Sequence, residues 1–276
     1  MGITYSLFFP PSPRLTEKNL PRQDGKVFLI TGGASGIGFE LCTILYQAGG
    51  KVYIAGRSEA NAHSAITAIK ALPCPSPGAL EFLPIALDDF STIKPAVEKF
   101  LASESRLDVL FNNAGVSNPP KGSCGAQGQE LQLATNCLGP YLFTQLLIPL
   151  LVRTAKTTPP ASVRVIWTCS IATDLSAPAG GINLADLTTT PSDQQKNYTT
   201  SKTGNWFLAS HLASQVGSQG VLSVTQNPGN LKTALTRHLP SIIPFLAAPL
   251  LYPPRMGAYT QLWAGLSMDL VEEDGG

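Results

Sequence analysis

The chain is short of charge, and the charges that it carries are balanced. Charged residues make up 13% of its 276 positions, and 19 lysines and arginines against 18 aspartates and glutamates leave a formal net charge of +1. A protein that binds nucleic acid presents a basic surface to the phosphates, so this balance argues against nucleic acid as a partner. Hydrophobic residues reach 43%, which is enough for one large buried core.

Metal-ligating side chains are also scarce. The chain has three histidines and five cysteines, and no two cysteines form a Cys-x-x-Cys pair. This pattern predicts neither a metal site nor a disulfide framework, and we expect buried free thiols in a reducing compartment. The cysteines are Cys42, Cys74, Cys124, Cys137 and Cys169.

Long apolar runs are missing as well. Residues 1–13 lack the basic start and long apolar stretch of a signal peptide. The apolar stretch from Ser241 to Leu251 is interrupted by Pro244 and Pro249 and is too short to span a bilayer. The sequence therefore predicts a cytoplasmic protein without an integral membrane segment.

Apolar segments alternate with amphipathic segments from Lys26 onward, which predicts βαβ units and a parallel sheet. We expect a single α/β domain over residues 1–276, with a doubly wound, mostly parallel Rossmann sheet and helices on both faces. Strands are predicted at Val27–Thr31, Lys51–Ala55, Leu80–Ile85, Val109–Asn112, Val163–Cys169 and Leu222–Gln226. Helices are predicted at Gly36–Gln47, Ala60–Ala71, Ile93–Ser103, Glu130–Arg153, Gln195–Gly217 and Gly257–Ser267.

Three segments lie outside this alternation. Residues 1–24 form an N-terminal arm, Ile171–Lys196 is a long connection after the fifth strand, and Leu231–Arg255 follows the sixth. Long loops within a compact domain are usually functional, and ligands bind at the carboxyl ends of strands in doubly wound sheets. We therefore expect residues 231–255 to cover a substrate.

A glycine-rich turn joins the first strand to the first helix. Gly32 suits a tight turn, Gly36 lets the backbone approach a pyrophosphate, and Gly38 permits close packing of helix on strand. The amides at the start of the helix, together with Ser35 and Ile37, are placed to meet phosphates. A strand before the turn and a helix after it make this a dinucleotide site rather than an ordinary loop.

The second strand leads into Arg57, where an acidic residue would favour NAD and an arginine accommodates the 2′-phosphate of NADP. Arg57 therefore favours NADP, with NAD as the less favoured cofactor, although a solvated surface arginine is the structural alternative. Asp88, after the third strand, is placed to reach the adenine, and it could equally cap the helix that starts near Ser91.

Tyr198 and Lys202 are four positions apart, on one face of a predicted helix. A tyrosine with a pKa of about 10 exchanges protons poorly near neutrality. A neighbouring ammonium, together with the positive nicotinamide, is expected to lower that pKa. The two residues thus form a candidate acid–base pair.

With these motifs in order, the chain resembles a classical short-chain dehydrogenase/reductase. The resemblance spans about Gly25 to Leu266. Its signatures are the Thr-Gly-x-x-x-Gly-x-Gly turn from Thr31, Asn113-Ala114-Gly115 after the fourth strand, and a helix asparagine, Asn136. They continue with a strand-end serine, Ser170, the pair Tyr198 and Lys202, and a segment with Pro228, Gly229, Leu231 and Thr233 that contacts the nicotinamide half.

The resemblance implies a role for each member of a catalytic tetrad. Tyr198 would be the general acid in reduction and the base in oxidation, and Ser170 would hold and polarise the carbonyl oxygen. Lys202 would bind the nicotinamide ribose and depress the tyrosine pKa, and Asn136 would position a water in the proton relay. As structural alternatives, Ser170 is a strand-end hydroxyl and Asn136 an ordinary polar residue of a helix.

Finer features resemble the retinol-dehydrogenase and WW-domain-oxidoreductase branch and its fungal reductases. They are the 28 positions from Ser170 to Tyr198, the Phe8-Phe9-Pro10-Pro11 arm and Gly257-Ala258-Tyr259-Thr260. This resemblance implies a homo-oligomer, a dimer or a tetramer, and a place in fungal secondary metabolism. Relatives usually continue past Gly276 into another strand, so the last strand is expected to be missing or trimmed.

An apolar lid predicts a lipophilic substrate, although the same residues could pack on the domain or face a partner subunit. His211 and His238 are weak acid–base candidates. We expect NADP-dependent interconversion of a carbonyl and an alcohol, in the reductive direction. The alternative is a dinucleotide-binding protein with a non-redox, binding or ring-forming role. The lid residues are Ile242, Ile243, Pro244, Phe245, Leu246, Leu250, Leu251 and Tyr252.

Overall fold

A parallel sheet forms the centre of the protein. The computed structural model describes residues 9–189, 192–233 and 251–271. Within these residues the sheet has six strands in the order β3-β2-β1-β4-β5-β6, all parallel, which confirms the predicted doubly wound topology. The strands are β1 (Val27–Thr31), β2 (Lys51–Gly56), β3 (Ala79–Pro84), β4 (Val109–Asn112), β5 (Val163–Thr168) and β6 (Val221–Gln226).

Helices follow the strands and cover both faces of the sheet. Among the described residues they are α1 (Gly36–Gln47), α2 (Glu59–Lys70), α3 (Ile93–Ser103), α4 (Leu131–Ala155), α5 (Ala172–Ser176), α6 (Leu184–Thr189), α7 (Gln194–Val216) and α8 (Pro254–Leu266). The sheet order reverses between β1 and β4, and in such a sheet the crevice at this reversal is where a ligand binds.

The strands are buried on both faces, which explains why they are almost continuously apolar. Successive side chains of a strand point to opposite faces. In β1, Phe28 and Ile30 pack in the core beneath α1, α2 and α8, whereas Leu29 packs in the core beneath α3, α4 and α7. Helix α1 and helix α7, which carries Tyr198 and Lys202, therefore lie on opposite faces of the sheet.

Most predicted boundaries lie within two residues of the observed ones, and the larger differences are in two places. The connection predicted over Ile171–Lys196 contains the short helices α5 and α6. Helix α8 begins at Pro254, three positions before the predicted start, and therefore inside the predicted lid. Proline at the first helical position has its φ angle already set and needs no amide partner there, so Pro253-Pro254 starts the helix early.

Helix α8 is fastened to the sheet by a buried arginine of β5. Arg164 is 3% exposed and donates to the carbonyls of Ala264 at 2.9 Å and Ser267 at 2.7 Å, at the C-terminal end of α8. A cation there also complements the helix dipole. The position of α8 relative to β5 is thereby fixed, which matters for the site described below.

The arm predicted over residues 1–24 is described from Phe9 onward. Leu15 and Leu20 pack against the core beneath α1 and α8. Arg255 of α8 forms ion pairs with Glu17 of the arm at 3.1 Å and with Glu40 of α1 at 2.9 Å. These contacts tie the arm to α1 and α8.

Helix α4 has the length and mean hydropathy, 1.3, of a membrane span. In the structure, however, 56% of its most apolar window is buried, and Phe143, Leu147 and Leu150 belong to the core beneath α3 and α7. This pattern is typical of a core helix.

All five cysteines are free. Cys42 and Cys137 are buried as expected, whereas Cys74 and Cys169 are half-buried and Cys124 is exposed, so the expectation of buried thiols is wrong for these three. No cluster of metal-ligating side chains is found among the described residues.

Candidate active site

The glycine-rich turn after β1 has the geometry that a phosphate requires. Gly36 has φ +54°, which favours glycine, and a Cβ added there would meet only Thr233, at 3.9 Å. Ser35 makes no capping hydrogen bond to α1, so the first amides of the helix are left for an anion. Ile37 lies in this first turn, and Gly32 begins the turn with φ +68°.

Gly38 shows why the helix can lie so close to the turn. A Cβ at this position would lie 2.5 Å from the carbonyl oxygen of Gly32 and 2.7 Å from Nδ2 of Asn113. Any larger residue would push α1 away from the sheet. The predicted packing role of Gly38 is therefore visible in the structure.

The turns after β1 and β4 are joined by hydrogen bonds. Thr31 Oγ1 accepts from the amides of Asn113 and Ala114, both at 3.0 Å, and Asn113 Nδ2 donates to the carbonyl of Thr31 at 2.8 Å. Asn113 Oδ1 accepts from Gln261 of α8 at 2.7 Å. The side chain of Asn113 thus braces the two turns, and the contact of Asn113, Ala114 and Gly115 with a cofactor stays a prediction.

Arg57 and Asp88 face the same end of the sheet and form an ion pair at 3.0 Å, with the arginine side chain 61% exposed. The alternative that Asp88 caps the following helix is wrong, because Asp89 accepts from the amide of Ser91 instead. The predicted contact of Asp88 with adenine stays a prediction.

The segment after β6, which the resemblance places beside the nicotinamide, lies next to α8 and the glycine turn. The amide of Gly229 donates to Oδ1 of Asn227, and the side chain of Leu231 packs against Gly257 of α8. Thr233 lies beside Gly36, so this segment and the glycine turn face each other. Pro228 and Gly229 also line an apolar cavity of about 460 Å³, to which none of the four tetrad residues contributes.

The reaction centre lies where α7 passes the end of β5. Tyr198 is 8% exposed, and its hydroxyl forms a hydrogen bond with the side chain of Ser170. Lys202 Nζ donates to the carbonyl of Thr168 at 2.9 Å and lies 5.9 Å from the centre of the Tyr198 ring. The structure therefore brings Ser170, Tyr198 and Lys202 together.

Burial governs the protonation of Lys202. The side chain is fully enclosed, and loss of hydration lowers its pKa from 10.5 to about 8, with Cys169 and Cys137 acting in the opposite direction. The ammonium form is thus held at some cost, and it loses its proton far more readily than an exposed lysine.

The expected depression of the Tyr198 pKa is wrong for the chain by itself. Burial of the phenol is the largest influence and raises its pKa, while the hydrogen bond with Ser170 lowers it and Cys169 raises it further. A phenolate in a dry pocket is costly, and the nearest ammonium has itself a lowered pKa. At neutral pH, Tyr198 is therefore a protonated phenol.

Asn136 lies in a π-helical turn, Ala134–Leu138, within α4. Such turns are rare and often mark functional sites. Its side chain accepts from the amide of Val116 at 2.8 Å and donates to the Val116 carbonyl at 2.9 Å and to Ser201 Oγ at 3.0 Å. Both ends of the amide are thus engaged, and the predicted water in a proton relay stays a prediction.

Several polar residues of the site carry no motif and were missed by the sequence reasoning. Gln226 and Gln261 donate to Thr168 Oγ1 at 3.1 Å and 3.3 Å, and Asn205 donates to the Thr168 carbonyl at 3.1 Å. Two features of the sequence could have pointed to these residues. Asn205 lies close to Lys202 in the chain, and Gln226 ends a predicted strand.

Some candidates lie elsewhere. His211 is exposed on α7, away from the buried tetrad. Leu251 and Tyr252 are half-buried, and Tyr252 pairs with Leu231 in a short parallel bridge, so the two ends of the predicted lid meet. His238 and the remaining lid residues lie outside the described residues. These lid residues are Ile242, Ile243, Pro244, Phe245, Leu246 and Leu250.

A dinucleotide fits these residues. A Cβ on Gly115 would lie 3.3 Å from Asn136 Oδ1 and 3.4 Å from Lys202 Nζ, so the glycine keeps open the space beside the lysine. At the other end, Gly36 and the uncapped start of α1 form an open cradle for phosphates.

The lowered pKa of Lys202 predicts how stability depends on pH. Below pH 8 the folded and unfolded chains both carry the ammonium, and its burial destabilises the fold. Between pH 8 and 10.5 the unfolded chain binds the proton more tightly, so stability rises with pH. In the free protein, Lys202→Met should raise the free energy of unfolding by about 1–3 kcal/mol near pH 7.

That advantage should shrink as pH rises toward 10.5, in denaturation measured across this range. Lys94→Met is the control, because Lys94 is exposed on α3 and its replacement should give a small, pH-independent difference. A constant advantage for Lys202→Met at every pH would contradict a pKa near 8.

Comparison with known proteins agrees with this geometry. Residues 26–242 match the family described as short chain dehydrogenase. A short-chain dehydrogenase/reductase of Phomopsis amygdali is 47% identical over 269 residues, which cover 96% of this chain and 80% of the relative. The short-chain dehydrogenase/reductase iacJ of Pestalotiopsis fici is 42% identical over 98% of this chain and 86% of the relative.

Solved structures show the same architecture. The RhlG/NADP active-site complex of Pseudomonas aeruginosa has a TM-score of 0.68 and 25% identity, over 88% of this chain and 90% of that chain. A 3-ketoacyl-(acyl-carrier-protein) reductase of Brucella melitensis complexed with NADH has a TM-score of 0.69 and 20% identity, over 90% and 95% of the two chains, and shows the shared fold. Because residues 26–242 match this family and two relatives are 47% and 42% identical over nearly the whole chain, the chain belongs to the short-chain dehydrogenase/reductase family, the NAD(P)-dependent oxidoreductases.

Proposed function

We propose that the protein is an NADP-dependent carbonyl reductase that acts on a lipophilic small molecule. The observation that carries this proposal is the buried phenol of Tyr198, hydrogen-bonded to Ser170, with the Lys202 ammonium held behind it. These are the groups needed to bind a carbonyl oxygen and deliver a proton to it. NADPH, when bound, supplies the hydride.

The proton comes from Tyr198. The Ser170 hydroxyl orients and polarises the carbonyl oxygen, and the phenol donates its proton to that oxygen as negative charge develops there. Lys202, 5.9 Å from the phenol ring, stabilises the phenolate that is left. Thr168 keeps the ammonium in place through its carbonyl.

The raised pKa of Tyr198 supports the reductive direction. Reduction needs a protonated phenol as general acid, whereas oxidation needs a phenolate as base. Burial raises the pKa of Tyr198, so the free chain carries the acid form at neutral pH.

Arg57 supports NADP. Its exposed guanidinium follows β2, at the position where a 2′-phosphate is expected, and its partner Asp88 keeps it at that end of the sheet. Gly36, Ser35 and the start of α1 would hold the pyrophosphate. Lys202 would hold the nicotinamide ribose, with Pro228, Gly229, Leu231 and Thr233 beside the nicotinamide.

A lipophilic substrate is supported by the apolar cavity beside the nicotinamide segment, which Met256, Tyr259 and Trp263 line together with Pro228 and Gly229. No tetrad residue lines this cavity. It therefore shows that this face of the protein is apolar, and it does not show where the reacting carbonyl would bind. The place in fungal secondary metabolism rests on the resemblance to fungal reductases, because the relatives from Phomopsis amygdali and Pestalotiopsis fici are named only as short-chain dehydrogenases/reductases.

We further propose a homo-oligomer in the cytoplasm. Trp206 and Phe207 are 48% and 45% exposed on α7, and Leu175 and Leu184 are exposed on α5 and α6. Exposed apolar side chains of this size are typical of surfaces that a partner covers.

Tyr198→Phe tests the reaction. NADPH oxidation by the wild type should be detected with members of a panel of lipophilic ketones and aldehydes, and the variant should lose about 10²–10⁴-fold in turnover. NADPH binding, followed by fluorescence, should change little because the ring remains. Tyr53→Phe is the control, since its buried hydroxyl bonds Glu104 and not the site.

Unchanged turnover in Tyr198→Phe would remove the tyrosine from the reaction. A wild type that binds NADPH but oxidises it with no carbonyl on the panel would favour the non-redox alternative, in which the same pocket serves binding or ring formation.

Arg57→Ala tests the cofactor. The variant should lose about 10–100-fold in affinity for NADPH, the value of a charge-assisted pair with phosphate, and less than about threefold for NADH. Arg153→Ala, an exposed arginine on α4, should leave both affinities unchanged. Equal losses for the two dinucleotides would remove the reason to prefer NADP.

A further inference from the structure

Within the part of the chain that the structure describes, the ammonium of Lys202 donates to one peptide group, that of Thr168. Thr168 is the last residue of β5, and its carbonyl accepts from Lys202 Nζ at 2.9 Å and from Asn205 Nδ2 at 3.1 Å. Lys202 is only 3% exposed, so solvent compensates poorly for a misplaced acceptor. The position of the Thr168 peptide therefore decides how well the ammonium is held.

The side chain of Thr168 is fixed from the opposite direction. Its Oγ1 accepts from Gln226 Nε2 at 3.1 Å and from Gln261 Nε2 at 3.3 Å. Gln226 ends β6, and Gln261 lies in the middle of α8 with no exposed surface. Two amides from different elements thus converge on one hydroxyl behind the catalytic lysine.

Gln261 has a second partner that Gln226 lacks. Its Nε2 also donates to Asn113 Oδ1 at 2.7 Å, and Asn113 in turn is bonded to the carbonyl of Thr31. The turn that starts at Asn113 carries Gly115, whose open side faces Lys202 Nζ. Gln261 therefore links the two backbone segments that border the ammonium, the turn after β4 and the end of β5.

The polar identity of Gln261 is costly for the fold. Its Oε1 is buried and has no hydrogen-bond partner among the described residues, and an unpaired buried amide oxygen costs about 1–3 kcal/mol. An apolar side chain of the same length would avoid this cost. The amide is therefore explained by what its Nε2 holds and not by packing.

We propose that Gln261 is a positioning residue for Lys202. From α8 it holds Thr168 and the Asn113 turn in register, with Gln226 as a second support on Thr168, so that the Thr168 carbonyl points at the ammonium. It touches neither the phenol nor the substrate. Its effect on turnover rests on the proposed function, whereas its effect on the lysine does not.

Gln261→Met, Thr168→Val and the double variant form a matched set. Methionine keeps the length of glutamine without its donor, and valine removes the hydroxyl of Thr168 but keeps the carbonyl. Leu262→Met is the control for disturbance of α8, because Leu262 is the next residue, equally buried, and lies in the apolar core.

The first readout is the pKa of Lys202 in the free protein, measured from the ¹³Cε resonances of labelled lysines. The resonance of Lys202 is the one that is missing from the spectrum of Lys202→Met. The wild type should titrate near 8. In Gln261→Met the pKa should fall by about 0.5 or more, because the ammonium loses a well-directed acceptor. The ionisable groups that face it, Tyr198, Cys169 and Cys137, are the same in every variant.

The second readout is turnover with NADPH and a carbonyl compound that the wild type reduces. Gln261→Met should lower kcat about tenfold and change the Kd of NADPH by less than about threefold, since the loss is one of positioning. In the Thr168→Val background the same change should lower kcat by less than about threefold. Leu262→Met should stay within about twofold of the wild type.

A Lys202 pKa that is unchanged in folded Gln261→Met overturns the inference. Effects of Gln261→Met and Thr168→Val on kcat that are fully additive in the double variant also overturn it. If Gln261→Met does not fold, Thr168→Ser and Thr168→Val decide, because only serine keeps the hydroxyl, and equal lysine pKa values in these two overturn it. A wild type that reduces no carbonyl refutes the proposed function alone, and the NMR titration still decides the role of Gln261.

Discussion

The hydrogen bond from the Lys202 ammonium to the carbonyl of Thr168 is the interaction on which the site depends. A fully enclosed lysine keeps its charge only if a well-placed acceptor replaces the water that it has lost. The cost is visible in a pKa lowered to about 8. The acceptor is a main-chain group at the end of β5, a buried strand that is paired on both sides, so its position is set by the sheet.

The surrounding strands and helices are arranged around Lys202 and the carbonyl of Thr168. The carboxyl ends of β1, β4, β5 and β6 meet at one edge, and the hydrogen bonds of Thr31, Asn113, Gln261 and Thr168 connect three of them to α8. Arg164 fixes α8 from its other end. Burial of Tyr198 beside this charge keeps its phenol protonated, which suits a proton donor.

Sequence reasoning predicted the features that are local or carry a motif. The order of strands and helices follows from apolar periodicity, and the glycine turn, Ser170, Tyr198 and Lys202 stand at fixed places in that order. It could not find Gln261 or Thr168 as parts of the site, because their partners are distant in the chain and a single glutamine in a helix has no pattern. The same reason explains why the Arg57–Asp88 pair was not foreseen. The Asp89 cap is local, and it was missed because its neighbour Asp88 was the capping candidate.

In the chain by itself, the Tyr198 pKa is raised and not lowered, and sequence reasoning missed this for a related reason. Spacing shows that a lysine is near the tyrosine, but it does not show how deeply both are buried, and burial proved the larger influence. The tetrad is therefore better described as a buried acid–base site, in which Thr168 holds the lysine, than as a phenol activated by an exposed charge.

Transfer of a labelled hydride tests the central claim most directly. The protein would be incubated with a lipophilic ketone and NADPH deuterated at C4 of the nicotinamide, using each of the two stereoisomers in turn. We predict that deuterium from one stereoisomer appears on the carbinol carbon of the product and that NADP⁺ forms in equal amount. NADPH that binds but keeps its deuterium, with no alcohol formed from any carbonyl tested, would contradict the account.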